Sequence, residues 1–344
     1  MFNNIVKDRC DATNRRNKYV VMRKLFPCLA FALILRIGYV LFFPQVEVSA
    51  DAWEYDTIAL NICKGGGFSV KPGFPTPTRA PLYPFFLSLV YIILGRSLTA
   101  VRIIQSVLDT LTCISIYMIA KLLFHEKIAK LSAYLWGSYP VIIAYTGLIL
   151  SEILFTFTFA LSLLFLVKGF TENKRVCFVI SGIFLGLATL TRPTTLLFSI
   201  YVFLLFIIFI IIQVCQKSTL LNLAIFVIVS YLVISPWTIR NYVIFKTFIP
   251  ICTGGGFGFW VSAYQSTGVS FEDSIEALHN KIKVEVQDFW NSEERIELDR
   301  RLLSEAKGMI KKHLGNYILI VMKRLPRFWW TSHSSIFGVD KSIV

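Results

Sequence analysis

The residues able to do chemistry gather in one short stretch, Ser49 to Pro84. It holds a carboxylate cluster (Asp51, Glu54, Asp56), three consecutive glycines (Gly65 to Gly67), a Pro-rich turn and an arginine, Arg79. A carboxylate can take a proton, and a guanidinium can offset charge developing on an oxyanion. The rest of the chain is so apolar that a segment this polar must lie outside the hydrocarbon or line a wet cavity. This loop is therefore the expected seat of the chemistry, with the helices bringing further charged residues up to it.

Of the 344 residues 55% are hydrophobic, 30 are Phe and only 16% are charged, with a mean hydropathy of +0.64. A soluble domain carries about 25% charged residues. The repeated apolar runs mark an all-α, polytopic membrane protein. The net charge of +14 then reads as Lys and Arg in cytoplasmic loops facing anionic lipid. Nucleic acid is not an expected partner, because the basic residues are scattered between spans. The seven cysteines show no CxxC spacing and mostly fall in or beside apolar runs, as small core residues do. Cys63 and Cys252 are the two expected on the outer face, which leaves a disulfide between them open. The four histidines have no metal-ligand spacing.

The elements that must position the loop follow from charge. Residues 1–24 are a basic tail, read as cytoplasmic; the apolar run Leu25 to Phe43 is a retained first helix, so the loop 44–80 emerges outside. Pro81 to Gly95 is short and contains Pro84; reading it as a re-entrant or interfacial helix keeps the basic loop Lys121 to Lys130 inside. Further spans are then expected at Leu98–Phe124, Ile128–Tyr145, Ile153–Lys168, Val176–Leu190, Thr195–Val214 and Leu220–Pro236, about seven in all. This topology uses only the inner loops, yet it brings Asp51, Arg79, Glu152, Arg192 and Arg240 to one outer face. Residues 25–248 form the expected catalytic core. Residues 249–344 form an extracytoplasmic helical segment with solvated amphipathic helices over Phe271 to Lys312 and an interfacial helix at Tyr317 to Trp330.

The ordered motifs Asp51-x3-Tyr55, Gly65-Gly-Gly-Phe68, Arg79-Ala-Pro-Leu-Tyr-Pro84, Gly147-x4-Glu152, Leu187-Ala-Thr-Leu-Thr-Arg192-Pro193 and Pro236-Trp-x2-Arg240-Asn241 resemble the GT-C class of membrane glycosyltransferases. Within that class the chain is most similar to the family 39 and aminoarabinose-transferase-like group, related to dolichyl-phosphate-mannose protein mannosyltransferases. The similarity runs over roughly residues 25 to 262. It implies a polyprenyl- or dolichyl-phosphate-linked sugar donor, an inverting transfer on the extracytoplasmic face, and a protein, lipid or envelope-glycan acceptor.

An inverting transfer needs a base for the acceptor proton, and Asp51 aligns with that role. Its plainer alternatives are a solvated loop acid or an N-cap of the helix expected over Ala52 to Cys63. Glu54 and Asp56, a turn on, read as solvated. Glu152 lies at the membrane boundary, where an acid is costly unless paired or wet; the related enzymes use a second acid in this turn, and a helix-dipole partner is the alternative. Arg79, Arg240 and Arg192 are the cations for the leaving phosphate, with snorkelling to headgroups as their other reading. Tyr55 and Tyr83 either hydrogen-bond sugar or phosphate or belong to an interfacial aromatic belt. The glycine clusters at 65–67 and 254–256 read as turns that permit close backbone approach. No cofactor is expected and a divalent metal is not favoured, since Asp51 has no second Asp two residues on. A bacterial plasma membrane, with the N-terminus cytoplasmic, fits the compact loops. Two other classes stay open. One is a transporter or flippase of lipid-linked sugars, which should carry midplane charges and two related halves. The other is a truncated, non-catalytic partner, suggested by the short segment after Trp330.

Overall fold

The computed structural model describes residues 25–42, 50–211, 218–285 and 292–330. The tail expected at 1–24, the start of the first outer loop and the stretch after Trp330 lie outside these. In chain order the helices are α1 (Leu25–Phe42), α2 (Ala50–Cys63), α3 (Leu82–Leu94), α4 (Leu98–Leu123), α5 (Glu126–Ser138), α6 (Pro140–Thr146) and α7 (Glu152–Glu172). Then come α8 (Arg175–Thr191), a 3-10 turn (Pro193–Thr195), α9 (Phe198–Ile211), α10 (Ser218–Phe245), α11 (Gly255–Gln265), α12 (Phe271–Glu285), α13 (Ser292–Lys312) and α14 (Leu314–Trp330). Between α2 and α3 sits an antiparallel hairpin, β1 (Ser69–Lys71) and β2 (Phe74–Pro75). The all-α class holds. The residues divide into two compact units: α1 with 98–188 and 197–230, and 50–97 with 189–196 and the chain from 231 onward.

In the first unit α4 packs on α5, α6 and α7. Small residues let the helices approach: Ala129 and Ala133 sit against Leu25, Cys28, Tyr117 and Ala120, as in other membrane helix pairs. Deep in this packing lies an ion pair the sequence reading passed over. Arg36 Nε donates to Asp109 Oδ2 at 2.6 Å, and both side chains are fully buried. Arg36 also donates to the carbonyls of Ala32 and Gly137, and Trp136 Nε1 donates to Asp109 Oδ1 at 3.1 Å. Charges do therefore enter the apolar helices, but this pair is closed by protein partners and ties α1, α4 and α5 together. On α7 and α8, Ser162 and Ser181 exchange hydrogen bonds through each other's carbonyls at 2.9 and 2.8 Å.

Four helices among the described residues are long and apolar enough to cross a bilayer: α1, α4, α7 and α10 over Thr219–Phe245. The other three expected spans are not among these four, so seven spans are not confirmed. The run 128–145 breaks into α5 and α6 at Pro140, which lacks the N–H to continue a helix. Helices α8 and α9 have 17 and 14 residues. Helix α3, with 13 residues, has the length expected of a segment that does not span. The expected end of the last span at Pro236 is corrected: α10 runs through that proline to Phe245.

In the second unit, side chains beyond Pro236 give α10 a reason to continue. Trp237 Nε1 donates to the Ile251 carbonyl, Thr238 Oγ1 to Pro250, and Asn241 Nδ2 to both Ile249 and Ile251, at 2.7 to 3.0 Å. The returning chain thus hangs along the last turns of α10. Helices α11 to α14 form a small bundle around Trp260, Leu278, Leu298 and Leu302. Gly256 makes its closest approach possible: a Cβ there would meet the Asp299 carbonyl oxygen at 2.0 Å. Over 271–312 the chain forms helices of the amphipathic kind expected: α12 and α13 bury an apolar stripe in this bundle while carrying many charged residues.

Candidate active site

The functional cluster is built by α2 and the loop before α3. Asp51 and Glu54 are three residues apart in the first turns of α2, so they share one face. Arg79 reaches both: Nη2 donates to Asp51 Oδ1 at 2.5 Å, and Nε donates to Glu54 Oε2. The two acids differ in setting. The Asp51 side chain is 59% exposed, whereas that of Glu54 is 11% exposed. The Asp51 carboxylate therefore stays accessible to solvent while Glu54 anchors the arginine. The reading of Glu54 as solvated is corrected, and it is the residue sequence reasoning undervalued most. Its signal was there: three residues after Asp51 on a helix, it had to share that residue's cation.

Asp56 is also buried, and it faces α3. Tyr91 donates to Asp56 Oδ1 at 2.6 Å, and Arg96 reaches both carboxylate oxygens, with Nη2 at 2.7 Å. This acid fixes α2 to α3. Asn61, one turn further, donates to the carbonyls of Ser69 and Val70 and sets the hairpin against the same helix.

Below Arg79 the wall is aromatic. Its guanidinium lies 5.2 Å over the Tyr55 ring, and Tyr55 meets Tyr83 edge to face at 5.0 Å. Tyr83 is fully buried. Burial alone would pull the Arg79 guanidinium down, but Glu54 and Asp51 outweigh it and hold its pKa above the ordinary value. It stays charged throughout the pH range of any assay.

A second arginine comes from far along the chain. Ser292, at the start of α13, donates through Oγ to the Pro75 carbonyl at 2.6 Å, and Asp299 Oδ1 accepts from the Phe257 amide at 3.3 Å. Residues 292, 295 and 299 follow at helical spacing, so Arg295 shares this docked face. Its electrostatic neighbours are Glu54, Arg79 and Asp299, and burial holds its pKa below the ordinary arginine value. Cys252 lies near Arg79 as well; burial pushes its thiol up to about 11. Cys63 and Cys252 are both free thiols.

The remaining expected residues sit as follows. Arg240 donates to the carbonyls of Thr76 and Phe68 and stacks over Trp237 at 4.6 Å, so it clamps the hairpin to α10. Arg192 is the extended residue between α8 and the 3-10 turn, half-buried, in the same unit. Glu152 opens α7 in the first unit, half-buried, where an acid complements the helix N-terminus. Among the described residues no group of three or more His, Cys, Asp or Glu side chains is gathered as a metal ligand set. The acid pair nearest to one, Asp51 and Glu54, already holds a guanidinium where a cation would sit.

Asp51 also faces a cavity of about 860 Å³ lined by α11, α12 and α14, a size typical of sites for small ligands. The arrangement puts an accessible carboxylate on the cavity lining and a charged arginine against that carboxylate.

Residues 78–239, a little under half of the chain, match the model of the dolichyl-phosphate-mannose-protein mannosyltransferase family. Arg79, Tyr83, Glu152 and Arg192 fall inside that match; Asp51, Tyr55 and Arg240 fall outside it. No curated protein matches the sequence. Among solved structures the fold is similar to the oligosaccharyltransferase of Archaeoglobus fulgidus. The apo form gives a TM-score of 0.55 at 16% identity, over 93% of this chain and 39% of that one. The complex with Zn and sulfate gives 0.54 at 17%, over 90% and 40%. The form with an inhibitory peptide and a dolichol-phosphate gives 0.52 at 17%, over 90% and 39%. This chain thus spans about two fifths of the length of those structures. The chain is thus similar in fold to that oligosaccharyltransferase and, across residues 78–239, in sequence to the dolichyl-phosphate-mannose-protein mannosyltransferase family.

Proposed function

We propose that the chain is an integral-membrane glycosyltransferase that moves a sugar from a polyprenyl- or dolichyl-phosphate donor to an acceptor hydroxyl, with inversion. Asp51 is the base: its accessible carboxylate takes the proton of the acceptor hydroxyl as the hydroxyl oxygen bonds to the anomeric carbon. The bond from that carbon to the phosphate oxygen breaks, and the electron pair leaves with the lipid phosphate. Arg79 and Arg295 supply the positive charge that this leaving group needs, without a metal. Glu54 holds Arg79 in place, Tyr55 and Tyr83 support its plane, and Arg240 fixes the hairpin. Arg192 is held in reserve for the lipid phosphate. The reaction side is extracytoplasmic, with the N-terminus cytoplasmic in a bacterial plasma membrane.

The observation that carries this reading is Arg79 held between a buried carboxylate and an exposed one, Asp51, that lines a cavity. The test is transfer by membranes containing wild type, Asp51→Asn or Arg79→Ala, supplied with a panel of polyprenyl-phosphate sugars. Wild-type transfer lost in Asp51→Asn, with the protein still inserted, supports the assignment. Transfer that survives Asp51→Asn moves the search for the base to Glu152.

A further inference from the structure

The cavity that Asp51 faces has a composition of its own. One face of α11 (Gly258, Val261, Ser262, Gln265) and one face of α12 (Phe271, Ile275, Leu278) form its walls. The ionisable side chains on its lining are Asp51 and Arg324, which comes from α14. Arg324 is half-buried and donates to Ser262 Oγ at 3.2 Å and to Gln265 Oε1 at 2.5 Å. Both partners are neutral. They aim the guanidinium along the α11 wall, and among the described residues no carboxylate forms an ion pair with it, unlike Arg79. A half-buried guanidinium with neutral partners attracts an oxyanion, and its fork geometry suits a phosphate or carboxylate.

We propose that this cavity is the acceptor subsite and that Arg324 selects an anionic lipid, one bearing a headgroup hydroxyl beside its phosphate. This rests on the transferase reading above and adds the class of acceptor. The hydroxyl goes to Asp51, the phosphate to Arg324, and the apolar part of the molecule runs along Val261, Ile275 and Leu278. A lipid is favoured over an acidic peptide because of what surrounds Arg324 on its own helix. Val321, Met322 and Leu325 are 40%, 57% and 54% exposed, and Ile318 and Leu319 continue the apolar face. A helix with such a face lies at a membrane surface, so the cavity edge opens toward lipid.

The test reads binding rather than turnover. Purified protein in detergent is titrated calorimetrically with dihexanoyl-phosphatidylglycerol, with uncharged dihexanoylglycerol, and with the peptide N-acetyl-Phe-Glu-Ser-amide. The wild type binds the phospholipid most tightly. Arg324→Gln weakens that binding by about tenfold or more and leaves the uncharged lipid unchanged, while Arg324→Lys falls between. Ile275→Trp, which fills the cavity and keeps the arginine, weakens both lipids. Equal phospholipid binding by wild type and Arg324→Gln overturns the proposal, and so does tighter binding of the peptide than of the phospholipid. An Arg324-dependent lipid site in a protein that transfers no sugar removes the transferase reading alone. Active transfer with no Arg324 dependence removes this one alone.

Discussion

Asp51 and Glu54 share one arginine but not one role, and the difference is measurable. Glu54 sits 11% exposed against an arginine that is 23% exposed. A hydrogen bond to a charged group in such a setting contributes about 1.5–3 kcal/mol, so Glu54→Gln is expected to lower stability by about 2 kcal/mol. Asp51, 59% exposed, makes its half of the pair in near-bulk solvent. An exposed ion pair contributes about 0–1 kcal/mol, so Asp51→Asn is expected to unfold almost like wild type. Activity runs the other way. Loss of a general base slows transfer about 10²- to 10⁴-fold, equivalent to about 3–5 kcal/mol of barrier. Glu54→Gln slows it about tenfold, through a less firmly placed Arg79.

The assay pairs thermal unfolding in detergent with initial rates of sugar transfer, for wild type, both single variants and the double variant. Stability loss confined to Glu54→Gln and rate loss concentrated in Asp51→Asn supports the division of labour. A stable but inactive Glu54→Gln beside an active Asp51→Asn would refute it, and would make the buried acid the base. Equal losses in both properties for both variants would show that the pair acts only as an anchor for Arg79.

Three further outcomes are expected. Asp109→Ala leaves Arg36 buried without its partner and lowers stability by about 3–5 kcal/mol, whereas Arg36→Met with Asp109→Leu recovers most of it; thermal unfolding of the three proteins checks this. Gly256→Ala places a methyl against the Asp299 carbonyl; it costs about 1–3 kcal/mol and loosens α13, seen as faster amide exchange over residues 292–312. Cys252, with its thiol pushed up to about 11, is protonated at neutral pH. In a background where it is the sole cysteine, its alkylation by iodoacetamide should be slow at pH 8 and rise steeply toward pH 11. A rate that levels off near pH 9 would remove burial as the cause.

What the sequence disclosed, and what it withheld, separates along physical lines. Composition and the long apolar runs gave the class, because a bilayer leaves helices as the way to bury that much apolar surface. Hydropathy did not show every break: 128–145 looks continuous in it, yet Pro140 divides the run. Pro236 misled in the opposite direction, since the missing N–H is offset by Trp237, Thr238 and Asn241, which recruit a partner segment from 249–251. Asp51 and Arg79 were legible as a pair because they lie in one polar loop. Arg295 was not, because it joins them from 216 positions beyond Arg79, brought back by Ser292 on Pro75 and by the gap at Gly256. Arg36 and Asp109 show the same limit inside the membrane. Each alone, mid-helix in an apolar run, reads as a cost, and only their meeting between α1 and α4 turns two costs into a joint that sets how these helices pack. The same reasoning applies to Arg324. On its own helix it looks like a snorkelling cation, and it becomes a recognition element only once α11 supplies Ser262 and Gln265 to aim it into a cavity that Asp51 shares.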